Sequence, residues 1–127
     1  MADNELQSGN GPMIAALVAD LMFASRVRGA APGAKTVHHA DALAEAVGRG
    51  TRLVLVDLHA GEALAAIRGV RAAGATATIV AFGSHVETEV LQSAREAGAD
   101  RVMARSAFVR ELPSLVARAV GQGSGEG

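Results

Sequence analysis

The chain contains no cysteine, no tryptophan and no tyrosine. Without a thiol there can be no disulfide, no thiolate metal site and no cysteine nucleophile. The absence fits a reducing compartment, and the cytoplasm is the expected location. Only three phenylalanines remain, although half of the residues are hydrophobic. The core must therefore be built from Ala, Val, Leu and Ile, side chains that suit helices laid closely on a sheet. No charge sign predominates: 12 basic and 13 acidic residues leave a formal net charge of −1. That balance argues against a strong whole-chain pull on nucleic acid or anionic lipid, while leaving local patches open. No apolar run approaches the roughly 18 residues that a membrane span needs. The opening MADNELQSGNGP is polar and acidic, unlike a secretion signal.

What the chain does contain is alternation. Its 127 residues suit one domain with a full core. Residues 1–12 and 121–127 (GQGSGEG) lack a hydrophobic face and read as disordered tails around a domain at 13–120. Within that domain, IAALVA at 14–19 is a short buried run, followed by helical spacing over 21–31. KTVHH at 35–39 is a weak strand candidate. Asp41 is placed to cap the helix that follows it. LVLV at 53–56 is the clearest strand and delivers Asp57. A helix over 62–73, a strand at 76–82 (TATIVAF), a helix over 86–97, a strand at 101–104 (RVMA) and a last helix over 108–120 complete five βα units. Pro113 is expected in the first turns of that last helix, where a missing N–H is tolerated. Strands that are apolar throughout are buried on both faces, so the sheet should be parallel and covered by helices. The expected fold is a three-layer (βα)5 flavodoxin-like α/β sandwich, strand order 2-1-3-4-5. In such sheets functional residues gather beyond the carboxyl ends of the strands.

Residues at those strand ends carry a resemblance. LVLVDL, ending in Asp57, resembles the third strand of response regulator receiver domains of the CheY-like type. REAGADRVMARSAF resembles their fifth-strand region, and ALVADL their acidic first strand. The resemblance runs over about residues 13–120. It implies two-component signalling, with Asp57 as the phospho-acceptor-like residue, Asp20 in the acidic pocket, and Gly83, Ser84, Arg105 and Ser106 at the switch and helper positions. It also implies Mg²⁺ as the metal to consider, held by Asp20 and Asp57.

The departures from that pattern shape the functional expectation. The first strand ends Ala19-Asp20, where the family has two acids. Gly83 stands where a Thr or Ser hydroxyl belongs, with Ser84 one place later. Arg105 replaces the Lys, and Ser106 the following Pro. Mg²⁺ demands near-octahedral oxygen coordination, and two carboxylates are a reduced set. Arg prefers forked pairing with carboxylate, so Arg105 is expected to clamp Asp57 or Asp20. Asp57 is then either a phospho-acceptor or a carboxylate tied to Arg105 and to backbone N–H groups. Asp20 is either a metal ligand or the N-cap of the helix at Leu21, and capping is the commoner role for Asp there. His38, His39, His59 and His85 all fall near strand ends and raise the question of a divalent site, although their spacing is no metal signature. Ser84, Ser106 and Arg105 form either an anion pocket or ordinary helix caps. Val86, Leu91, Val102, Met103, Phe108 and Val109 mark the usual receiver interaction face, with Phe108 and Met103 more at home in a core.

The leading expectation is an atypical single-domain receiver, a protein-protein interaction module without normal Mg²⁺-dependent phosphorylation and without enzymatic activity. A phosphorylatable receiver taking phosphate on Asp57 from a histidine kinase is the first alternative. A small-molecule or metal-binding flavodoxin-like domain is the second. The partner is expected to be a protein, a histidine kinase or a downstream effector, rather than nucleic acid or membrane, with a homodimer left open.

Overall fold

The apolar runs at 14–17, 53–57 and 78–83 become central strands buried on both faces, whereas the edge strands at 35–37 and 101–104 are partly exposed. The computed structural model describes residues 11–123. In chain order the elements are β1 (Ile14–Leu17), α1 (Leu21–Ala30), β2 (Lys35–Val37), α2 (Ala40–Ala46), β3 (Leu53–Asp57), α3 (Ala63–Ala72), β4 (Thr78–Gly83), α4 (Thr88–Ala97), β5 (Arg101–Ala104) and α5 (Arg105–Gly123). All pairings are parallel, in the order β2-β1-β3-β4-β5. The flavodoxin-like α/β fold expected from the sequence is the fold observed.

Successive strand side chains point to opposite faces, which divides the core in two. On one side Ala15, Leu17, Val54, Val56, Ile79 and Ala81 pack against α2, α3 and α4 through Leu43, Ile67, Val70 and Ala94. On the other, Ile14, Ala16, Val18, Leu55, Val80 and Phe82 pack against α1 and α5 through Phe23, Val27, Phe108 and Leu112. All three phenylalanines lie in this second layer. Phe82 and Phe108 stack with centroids 3.9 Å apart, and Phe23 sits 5.1 Å from Phe82. Phe108 is fully buried, so it belongs to the core rather than to a contact face.

The amino-terminal end of the sheet is fastened by one side chain. Arg71, in the last turn of α3, donates to the carbonyls of Gly98, Ala75 and Ala77 and to the Asp100 carboxylate at 2.6 Å. The same Asp100 oxygen accepts from the Ile79 N–H. Gly98 is required here: its φ is +128°, and a Cβ on it would meet Arg71 Cγ at 2.5 Å.

Several boundaries differ from the sequence reading. The helix expected from Val86 begins at Thr88, because His85 takes a left-handed φ of 55° and Glu87 is the extended capping residue. Asp41 does not cap α2. The capping position falls to His39, which makes no side-chain cap bond, and Asp41 lies in the first turn, where its charge suits the positive end of the helix. α5 starts at Arg105, directly after β5, so Pro113 is in the helix interior on an exposed face rather than in its first turns. Of the tails expected at 1–12 and 121–127, positions 1–10 and 124–127 lie outside the described residues, and 121–123 continue α5.

Candidate functional site

Asp57 ends β3 at the carboxyl edge of the sheet, opposite Phe82 of β4. It is 3% exposed, and both carboxylate oxygens are engaged. Oδ2 accepts from the Ala19 N–H at 3.1 Å and Oδ1 from the His59 N–H at 2.9 Å. A buried carboxylate needs such donors, because burial without them costs several kcal/mol. The side chain thus joins the β1–α1 connection to the β3–α3 connection.

Asp20 stands on the same rim, half exposed. Its Oδ1 accepts from the Phe23 N–H at 2.7 Å, so it caps α1 as the sequence suggested. Its Oδ2 lies 3.6 Å from the Arg105 guanidinium. That guanidinium also rests over the Phe23 ring, 4.3 Å from its centroid. Among the described residues no ion pair joins Arg105 to Asp57. The clamp expected on Asp57 therefore falls on Asp20. The reason is depth: Asp57 is sunk at the strand end and satisfied by backbone, whereas Asp20 is accessible from the start of α5.

Gly83 ends β4, where a side chain would project toward the β3–α3 connection. There is no room for one. A Cβ at Gly83 would meet Val86 Cγ2 at 2.5 Å, Leu58 Cβ at 3.4 Å and His59 Cδ2 at 3.5 Å. Val86, read from the sequence as part of an interaction face, fills the space a hydroxyl-bearing side chain would occupy. His59 adds a strap: its ring Nε2 donates to the Ser84 carbonyl at 2.6 Å, binding the loops on either side of the site. His38 does the same further along the rim, donating from Nδ1 to the Val18 carbonyl at 3.1 Å. His39 and His85 are exposed. Among the described residues, no three His, Asp or Glu side chains converge to hold a metal. Ser84 takes part through its carbonyl, and Ser106 is exposed as the second residue of α5.

The site therefore brings together Asp57, Gly83 and His59 in one cluster and Asp20 with Arg105 in another. Sequence reasoning placed all five on one rim. It missed the filling role of Val86 and the strapping role of His59. The signal for the first was a β-branched residue three places after a glycine at a strand end.

No family model matches the chain, and no curated protein matches it by sequence. Solved structures do match its fold. It is similar to NtrX from Brucella abortus, with 22% identity and a TM-score of 0.71, covering 90% of this chain and 27% of that one. A response regulator from Thermotoga maritima matches with 18% identity and a TM-score of 0.65, over 87% of this chain and 98% of that one. The BeF3-activated DrrB receiver domain matches with 17% identity and a TM-score of 0.72, over 87% and 97%. The chain thus spans about a quarter of NtrX and nearly the full length of the other two. Its fold is that of response regulator receiver domains. No helix among the described residues is long and apolar enough to cross a membrane.

Proposed function

We propose that this chain is a receiver-like signalling module that works by docking a protein partner, a histidine kinase or a downstream effector, and does not cycle through phosphorylation of Asp57. One observation carries the reading: the place of the phosphoryl-contacting hydroxyl is occupied by Gly83 and packed shut by Val86. A phosphoryl group on Asp57 would have to displace the Ala19 and His59 N–H donors or crowd the His59 strap. At Gly83 it would also find no hydroxyl to pull across.

The donor set does not fit Mg²⁺. Asp57 is buried with both oxygens engaged, Asp20 is committed to its helix cap and to Arg105, and among the described residues no third carboxylate joins them. Mg²⁺ tolerates distorted coordination poorly, so two engaged carboxylates make a weak site.

The test is to add beryllium fluoride or acetyl phosphate with Mg²⁺ and to record intact mass and amide shifts. The expected result is no adduct and no shift at the rim. An adduct on Asp57 would show a phosphorylatable receiver instead.

A further inference from the structure

The net charge of −1 conceals a division. α1 and α5 cover one side of the sheet; α2, α3 and α4 cover the other. Set aside the three ion-paired couples, Arg71–Asp100, Arg101–Glu111 and Arg105–Asp20. Among the described residues, the α1–α5 side then presents Arg26, Arg28, Arg110 and Arg118, all exposed, and no remaining acid. The opposite side presents Asp41, Glu45, Glu62, Glu87, Glu89 and Glu96, all exposed. Arg49, Arg68 and Arg95, with Lys35 on the edge strand, oppose them there, so acids still outnumber bases by six to four. One molecule thus carries two faces of opposite sign, back to back across its sheet.

Shape follows the same division. On the basic side the first turn of α1 holds out Leu21 and Met22, 72% and 85% exposed, the two most exposed large apolar residues described. On the acidic side, two adjoining hollows of about 330 and 370 Å³ run between α2 and α3 and share Ala44. Ala40, Ala65 and Gly69 line the first of them, with Asp41 and Glu62 at its edge. Protruding apolar side chains beside Arg26 and the paired Arg105 therefore match a shallow groove edged by Asp41 and Glu62 at one end, with Arg49 at the other. A partner of another kind would have to supply one of these surfaces; a second copy supplies both.

We propose that the chain associates with itself head to tail, the basic α1–α5 face of one copy, led by Leu21 and Met22, seating on the acidic α2–α4 face of the next. This rests on surface charge and shape and is independent of the state of Asp57. A contact between two different patches of the same molecule does not close on itself as a twofold dimer does. With the patches on opposite sides of the sheet, copies stack along its normal, and assemblies grow past the dimer. The attraction is between exposed charges, so salt weakens it.

Sedimentation velocity on the full chain reads this directly, with nuclease-treated protein so that a bound polyanion cannot bridge the basic faces. At low ionic strength the average mass should climb with concentration beyond that of a dimer, and fall back toward the monomer at about 0.15 M salt. Charge-swapped variants give the decisive arm. R26E/R28E/R110E leaves three acids against Arg118 on the α1–α5 face, and D41R/E45R leaves six bases against four acids on the α2–α4 face, so each variant alone should remain monomeric. Mixed together they should associate again. Met22→Ser should weaken wild-type association about ten-fold without changing charge. Circular dichroism melting of each variant separates loss of contact from loss of fold. Three results overturn the proposal: a wild-type chain that stays monomeric at every concentration in low salt, a mass that plateaus at the dimer, or folded swap variants whose mixture stays dissociated. Association that vanishes on nuclease treatment also overturns it and points to nucleic acid as the occupant of the basic face.

Discussion

Two arginine–aspartate pairs stand at opposite ends of the same sheet, and they are built differently. At the amino-terminal end, Arg71 reaches Asp100 at 2.6 Å and spends its remaining donors on three backbone carbonyls. At the carboxyl rim, Arg105 approaches Asp20 at only 3.6 Å and otherwise lies on the Phe23 ring. The first pair is tied into the backbone of the connections leading to β4 and β5. The second is partly solvated and could swing away at little cost. The amino-terminal end is knotted, and the carboxyl rim is only fastened, through Asp57 to backbone and through His59 to a carbonyl.

The sharpest way to break this contrast is at the knot. Arg71→Ala strips three carbonyls and one carboxylate of their donor, and hydrogen bonds to charged groups are worth about 1.5–3 kcal/mol each before relaxation and water recover part of it. The expected loss of unfolding free energy is about 3 kcal/mol, read from denaturant midpoints. A loss below about 1 kcal/mol would remove the distinction between the two ends.

A middle-sized effect is expected at the packed rim. Gly83→Thr introduces the hydroxyl that receiver domains carry in the pattern this sequence resembles, but drives its Cβ against Val86. Overpacking of this kind costs about 1–3 kcal/mol. Adding Val86→Ala should return most of the stability, since it removes the atom in the way. If Gly83→Thr alone is neutral in thermal melts, the space is not filled as described.

The smallest effect belongs to Arg105. Arg105→Ala removes an exposed ion pair and a ring contact, together under about 1 kcal/mol. The loss should shrink further as salt is raised. A loss equal to that of Arg71→Ala would mean that Arg105 bears on the buried Asp57 after all.

The fold was legible because the three central strands are short, almost wholly apolar and separated by amphipathic segments. LVLV at 53–56 needed nothing else to be placed at the sheet centre. The rim was legible as a set of residues but not as a set of bonds. Arg105 had two carboxylates within plausible reach, and which one it meets depends on depth: Asp57 is sunk and already satisfied, while Asp20 is not. The start of α4 was misplaced by two residues because His85 adopts a left-handed turn that no glycine advertises. Arg71 gave no hint at all. A lone arginine in the last turn of a helix looks solvated until Gly98, Ala75 and Ala77 are seen to turn their carbonyls toward it.

The gathering of Phe23, Phe82 and Phe108 in one layer has a practical consequence for anyone watching this protein in solution. With no indole or phenol anywhere in the chain, the near-ultraviolet signal comes from those three rings alone, and so it reports only on the half of the molecule between the sheet and α1 and α5. Loosening of α2, α3 or α4 would pass unseen by that spectrum and would need amide exchange to be noticed.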